Sequence, residues 1–201
     1  MMGMALARCY FWLIWNLKLY PLWSRLYRIL FNRKYNGVLL KSGLTPWMAQ
    51  ASLTCLKWSK DGPRELWDAV SDPRWVQYCL YQVALGKEQP IGALDCDDFA
   101  AWAATVISPD YHPRCLCVMW MDGGWKLKGH TVCKWFNDDN GTWNHVGNWG
   151  LRGPYHTLTG LVVGILNEVG CNLDDFVGCV SFTPDLKTHR FLSISFTEGS
   201  R

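Results

Sequence analysis

The sequence predicts an α+β fold, because helical and strand-like patterns occupy different parts of the chain. Before Pro109, apolar residues recur at helical spacing, as they do over residues 75–83. After Pro109, short β-rich runs alternate with turn signals such as Asn140-Gly141. Helices followed by a largely antiparallel meander are typical of the α+β class.

Capping residues mark the predicted helices. Thr45-Pro46 begins a helix over residues 45–58, because threonine caps a helix and proline suits its first turn. Ser71-Asp72-Pro73 begins a second helix, over residues 71–85, and Asp95 begins a third, over residues 95–107. Asp61-Gly62-Pro63 predicts a break between the first two.

The second half of the chain is predicted to form strands with one further helix. The strands are expected over residues 114–121, 126–136, 142–148, 178–182 and 190–196, and the helix over residues 159–169. Gly160 and Gly164 are unfavourable within that helix.

Composition excludes several classes of protein. Of the 201 residues, 49% are hydrophobic and only 18% are charged, which excludes a disordered chain. The net charge of +3 gives no reason to expect a nucleic-acid partner. Nine irregularly spaced cysteines do not suit a disulfide scaffold and predict a reducing compartment. The expected location is cytoplasmic or virion-associated, with a peripheral membrane position as the alternative.

The N-terminus is predicted to be a Trp-rich, basic, amphipathic extension over residues 1–34, followed by one domain over residues 35–201. Its longest uncharged run, residues 9–17, is too short to cross a bilayer. We expect Pro21 to divide it into two helices. After Pro21, Leu22, Leu26, Ile29 and Leu30 form a stripe at helical spacing. Such a stripe fits a peripheral membrane surface, a partner such as a virion protein, or the domain's own core.

Cys96 is the candidate nucleophile. Asp95 is a plausible N-cap, which places Cys96 in the first turn of a helix, where the helix dipole favours a thiolate. Asp97 and Asp98 oppose this effect, so the thiolate needs a cationic partner. His130, on a predicted strand after Gly129, can supply it as general base.

A third group is expected to orient the imidazole of His130. The next predicted strand offers Asn144, His145 and Asn148, of which Asn148 is the first choice and Asn144 the second. The backbone N–H of Cys96 is the natural oxyanion donor, and Gln89 is a candidate for the second.

The segment Asp95-Cys96-Asp97-Asp98-Phe99-Ala100, followed by Gly129-His130-Thr131-Val132, resembles the transglutaminase-like cysteine peptidases of bacteria and their phages. The resemblance implies a papain-like fold in which Cys96 is the nucleophile and His130 the general base. It implies thiol-dependent chemistry on amide bonds of a protein or peptide substrate, by hydrolysis or transamidation. The family has Gly where Leu94 stands, and its third residue is an Asp at the position of Gly147, one residue before Asn148.

The resemblance also raises the question of a metal. In one branch of the family, acidic residues beside the cysteine bind calcium, and Asp95 and Asp97 stand at those positions. No other cofactor is expected. A zinc site built from Cys115, Cys117, His130 and Cys133 is the chemical alternative, although His130 and Cys133 should point to opposite faces of a strand.

Two other functions remain open. Asp95-Cys96 and Phe99 before a later histidine also fit an NlpC-type cell-wall amidohydrolase, although Asp97-Asp98 replace the usual Ser-Gly. Alternatively, a catalytically weak papain-like fold serves as a structural or virion interaction module. The Trp-rich N-terminus favours this second function.

Overall fold

A computed structural model describes residues 2–59, 69–90, 94–123 and 126–196. In these residues there are six α-helices, and a short π-helical turn, Arg28–Asn32, continues the second. The helices are α1 (Met2–Asn16), α2 (Leu19–Tyr27), α3 (Pro46–Leu53), α4 (Pro73–Ala84), α5 (Cys96–Val106) and α6 (Leu158–Glu168).

One sheet carries the second half of the chain. Its strands are β1 (Arg114–Asp122), β2 (Lys126–Asn137), β3 (Thr142–Gly147), β4 (Gly150–Tyr155), β5 (Phe176–Phe182) and β6 (His189–Leu192). They lie in the order β4-β3-β2-β1-β5-β6, and every pairing is antiparallel. The predicted α+β class is confirmed.

The sheet separates two apolar cores. One face packs against α5, where Phe99, Trp102 and Ala103 meet Cys133 and Trp135 of β2. The other face packs against α6 and includes Leu116, Val118 and Val132, together with Leu161 and Ile165. Alternate residues of β1 and β2 therefore belong to different cores, as the period of two along a strand requires.

The predicted caps define the observed helix starts. Thr45 Oγ1 accepts the Met48 N–H at the start of α3, Asp72 caps α4, and Asp95 caps α5. Each cap satisfies backbone donors that the first helical turn leaves free. The three helices begin as predicted, although α3 ends at Leu53 rather than near residue 58.

The structure differs from the sequence-based expectations at two places, the division of the N-terminal helices and an additional strand. The N-terminal helices are divided at Lys18, which adopts the left-handed conformation with φ 55°, and not at Pro21, which lies in the first turn of α2. β4 was not expected, because its sequence contains Gly153-Pro154. The predicted break at Asp61-Gly62-Pro63 lies outside the described residues.

Helix α1 packs on the α5 side of the sheet. Its residues Ala7, Phe11 and Trp15 are buried at successive turns. The Phe11 ring meets Phe191 edge-on at 5.6 Å, and the Trp15 ring lies 5.0 Å from Phe182. The N-terminal segment predicted as an extension therefore contributes one helical face to the domain's core.

Candidate functional site

The start of α5 holds Cys96 as the sequence predicts. The Asp95 carboxylate accepts hydrogen bonds from the N–H groups of Asp97 (3.2 Å) and Asp98 (3.3 Å). Cys96 is therefore the first residue of the helix, and its side chain is partly buried. Its Sγ lies 4.0 Å from Asp97 Oδ1.

The surroundings of Cys96 are acidic, and their partners come from elsewhere in the chain. Tyr20 of α2 donates to Asp97 Oδ2 at 2.6 Å, and Asp98 Oδ1 accepts the Ser71 N–H at 2.7 Å. Burial raises the pKa of Asp95 well above its ordinary value, and the adjacent carboxylates of Asp97 and Asp98 raise it further.

Arg28 is a cation that faces this acidic cluster. It donates to Val70 O (3.0 Å) and Pro184 O (2.8 Å). Burial lowers its pKa, and the carboxylates of Asp72 and Asp98 oppose that shift. Sequence reasoning missed Tyr20 and Arg28, because nothing local indicates that α2 packs beside the start of α5.

His130 lies on the opposite face of the sheet from α5. It lies directly opposite Val118 of β1, and paired residues of neighbouring strands share a face. Val118 belongs to the core beneath α6, so His130 faces α6 as well. A Cβ atom at Gly147 would contact Val132 Cγ1 (3.3 Å) and His130 Nε2 (3.9 Å), which places those two side chains on one face. The next residue of β2, Thr131, is the one that faces α5. The structure therefore does not bring Cys96 and His130 together.

His130 sits in an apolar, aromatic pocket instead. The Trp149 ring lies 4.3 Å from the imidazole, and Nε2 has no hydrogen-bond partner among the described residues. Burial, together with the neighbouring His145, lowers the pKa of His130 to about 3. At neutral pH this imidazole is uncharged, so it is not the cation that a thiolate at Cys96 needs.

The predicted third residues do not orient His130. Asn148 lies in the turn between β3 and β4, and its buried Oδ1 has no hydrogen-bond partner among the described residues. Asn144 donates to Thr142 O at 3.3 Å and lies on the α5 side of β3. The cysteine–histidine–asparagine arrangement is therefore not assembled.

Gln89 has a structural role in this arrangement. Its Oε1 accepts the Lys57 N–H at 2.7 Å, and its Nε2 donates to Lys57 O at 2.9 Å. Both ends of the amide are used in joining two loops. The oxyanion role predicted for Gln89 therefore has no geometric support.

The residues proposed for metals take part in other contacts. Asp95 Oδ1 accepts the Asp97 N–H and Asp97 Oδ2 accepts the Tyr20 hydroxyl, and burial raises the pKa of Asp95, which opposes the charged form that a Ca²⁺ ligand needs. For zinc, Cys115 and Cys133 are buried neighbours on the α5 face, whereas His130 points away. Across the described residues, no three His, Cys, Asp or Glu side chains are grouped to hold a metal ion.

A polar group beneath α6 was also missed. His145 Nε2 and Arg152 Nε lie 3.5 and 3.4 Å from Glu168 Oε1, and the imidazole of His145 stacks on Tyr155. Glu168 is the last residue of α6, 23 positions after His145. Only the packing of α6 on the sheet brings them together, so no local pattern could have indicated it.

Helix α2 has its polar side turned inward. Ser24 is fully buried and its Oγ accepts the Val70 N–H at 3.2 Å. Arg25 donates to Leu186 O at 2.9 Å, and Arg28 bonds inward as described above. The predicted stripe faces outward: Leu22, Leu26 and Ile29 are 64, 43 and 64% exposed.

The neighbouring helix α1 also exposes apolar residues on its outward side. We call the whole surface the N-terminal apolar face and define it by its exposed residues: Leu6, Tyr10, Trp12, Leu13, Leu17, Leu19, Leu22, Leu26, Ile29, Leu30 and Phe31. A helix that is apolar all round normally has both sides covered. None of the helices in the described ranges combines the length and the hydropathy that a bilayer-spanning segment requires.

Comparison with known proteins identifies no relative. No protein-family model matches the chain, and no curated protein or solved structure matches it either.

Proposed function

We propose that this protein is an attachment module, in which the N-terminal helices hold the α+β domain against an apolar surface. The main support is the orientation of α2, whose polar side faces the domain and whose apolar side faces solvent. An amphipathic helix that packs only on its own domain turns its apolar stripe inward. Here Ser24, Arg25 and Arg28 bond inward, and Leu22, Leu26 and Ile29 face out.

The size of the exposed surface supports the same function. Isolated exposed apolar residues are normal, but many of them on two neighbouring helices are typical of an interaction surface. Complete burial of one Leu or Ile side chain stabilises by about 1.5–3 kcal/mol. Covering the eleven residues of the N-terminal apolar face would therefore favour attachment strongly, even after the entropic cost of association.

Substituting the outward stripe tests the proposal. In the full chain, Leu22→Gln, Leu26→Gln and Ile29→Gln together should weaken binding to neutral dodecylmaltoside micelles at least tenfold, as measured by analytical ultracentrifugation. Each change should alter the free energy of unfolding by no more than about 0.5 kcal/mol, because glutamine suits an exposed helix as well as leucine does.

Phe11→Ala is the matched control, because Phe11 lies on the inward side of α1. It should lower the free energy of unfolding by about 3–5 kcal/mol. If the triple glutamine variant is destabilised to a similar degree, the stripe belongs to the core and the proposal fails. Unchanged micelle binding by that variant would also refute it.

The cysteine-hydrolase function, with the resemblance that suggests it, is a second candidate. The position of Cys96 at the N-terminus of α5 favours it. It requires His130 to turn to the α5 face, which a shift of one residue in the register of β2 would achieve. The protein or peptide substrate and the NlpC-type alternative depend on the same requirement.

A further inference from the structure

We propose that the surface which receives the N-terminal apolar face is an anionic phospholipid bilayer, with α1 and α2 lying in its interface. This inference rests on the proposed attachment function and names its partner. It is argued from the distribution of charge, which the apolar contacts alone do not explain.

The charges of the chain are sharply divided. Residues 1–60 contain nine Lys and Arg residues and no Asp or Glu, for a net charge of +9. Residues 61–201 contain the other 11 basic residues and all 17 acidic ones, for a net charge of −6. The small net charge of the whole chain therefore conceals a strongly basic segment, and that segment carries the N-terminal apolar face.

The cations lie where an interfacial helix needs them. Lys18 immediately precedes α2, and Arg33 and Lys34 follow its outward stripe, separated from Phe31 by Asn32. All three basic side chains are exposed. An apolar stripe with cations at both ends matches a bilayer, whose acyl boundary is covered by charged headgroups.

The exposed aromatic side chains favour lipid over a protein partner. Tyr10 and Trp12 are 58 and 55% exposed on the outer side of α1. Their amphipathic rings suit the headgroup region of a membrane. A protein–protein interface is also rich in aromatic residues, but lysine is depleted there. A basic apolar face without one acidic residue therefore fits anionic lipid better.

Vesicle sedimentation of the full chain tests the proposal. The probes are vesicles of phosphatidylcholine alone and of phosphatidylcholine with 30% phosphatidylserine. We expect at least tenfold tighter binding to the anionic vesicles, weakened by salt. Lys18→Gln, Arg33→Gln and Lys34→Gln together should reduce that binding on the order of 100-fold, because each basic residue near such a surface contributes about fivefold.

Lys87→Gln with Arg190→Gln is the matched control, since both residues are exposed but lie outside the basic segment. This pair should leave vesicle binding unchanged. Equal binding to both kinds of vesicle, lost in the Leu22, Leu26 and Ile29 variant, would overturn the anionic-lipid inference and leave the attachment function standing.

Two further outcomes would also overturn it. Self-association through the apolar face without vesicle binding would identify a second copy of the chain as the partner. Failure to bind vesicles, micelles or another copy would refute both the lipid inference and the attachment function.

Discussion

At the scale of single residues, the pairing of Cys96 with His130 depends on which face of β2 the histidine occupies. Types and spacing of residues bring a thiol, an imidazole and an amide into a plausible order along the chain. The pairing of β2 with β1 decides whether His130 or Thr131 faces α5. A shift of one residue in that register would exchange the two. That information is not local, so the sequence pattern could not supply it.

Alkylation of Cys96 distinguishes the two candidate functions. We expect His130→Ala to leave the rate of Cys96 alkylation by iodoacetamide within about twofold of the unsubstituted protein, because the sheet separates the two side chains. Asp97→Asn is the positive control and should increase the rate, since a carboxylate 4.0 Å from the sulfur disfavours the thiolate. A loss of more than tenfold in His130→Ala, measured by mass spectrometry, would restore the cysteine-hydrolase hypothesis.

His130 should also make the fold sensitive to acid. Its folded-state pKa of about 3 lies below the ordinary value of 6.5. Between these two values, His130 is protonated in the unfolded chain and neutral in the folded protein. The free energy of unfolding should therefore fall as the pH decreases, with about 2 kcal/mol of the loss at pH 5 due to His130.

Urea unfolding at pH 7.5 and pH 5 measures this effect. His130→Gln should show a smaller loss between the two values, whereas His156→Gln, at an exposed histidine, should behave as the unsubstituted protein does. The comparison uses the difference between two pH values, so a general destabilisation by the substitution cancels. Identical losses in both variants would contradict the burial described for His130.

At the scale of elements, sequence reasoning succeeded where a feature is local. The caps Thr45, Asp72 and Asp95 fix helix starts through bonds to residues two or three positions away. The orientation of α2 is different. Its inner side is chosen by acceptors distant in sequence, among them Val70 O, Pro184 O and Leu186 O. The stripe was visible in the sequence, but the side that it faces was not.

Helix α6 shows how one glycine permits close packing. A Cβ atom at Gly164 would lie 2.5–2.7 Å from two ring carbons and the hydroxyl oxygen of Tyr155. We expect Gly164→Ala to lower the free energy of unfolding by about 1–3 kcal/mol, because the packed ring must move. At Gly160 the nearest atom is Thr157 Oγ1 at 3.3 Å.

Gly160→Ala is the matched comparison on the same helix. Its gain in helix propensity, about 1 kcal/mol, should offset the close contact with Thr157 Oγ1. Thermal unfolding of the two variants measures the difference. A Gly164→Ala variant as stable as Gly160→Ala would mean that α6 does not pack on Tyr155 as described.

At the scale of the whole molecule, the sheet separates two buried apolar cores. In addition to these, the N-terminal helices expose an apolar surface to solvent. Helix α1 shares its inward side with the α5 core, so the basic segment is built into the domain and not merely appended to it. Attachment through its outward side would leave the acidic remainder of the chain free. The basic charge of residues 1–60 and the outward apolar stripe of α2 therefore lie in the same part of the molecule.

Labelling of a native cysteine tests attachment through the N-terminal apolar face most directly. Cys9 is exposed on the outward side of α1, one turn from Leu6 and Leu13, whereas the partly buried Cys171 follows α6 on the other side of the sheet. In the full chain with saturating dodecylmaltoside micelles, labelling of Cys9 by a water-soluble maleimide should slow at least tenfold, and labelling of Cys171 should not change. If the protein binds the micelles while Cys9 is labelled at its original rate, attachment uses another surface and the function proposed for the N-terminal apolar face is wrong.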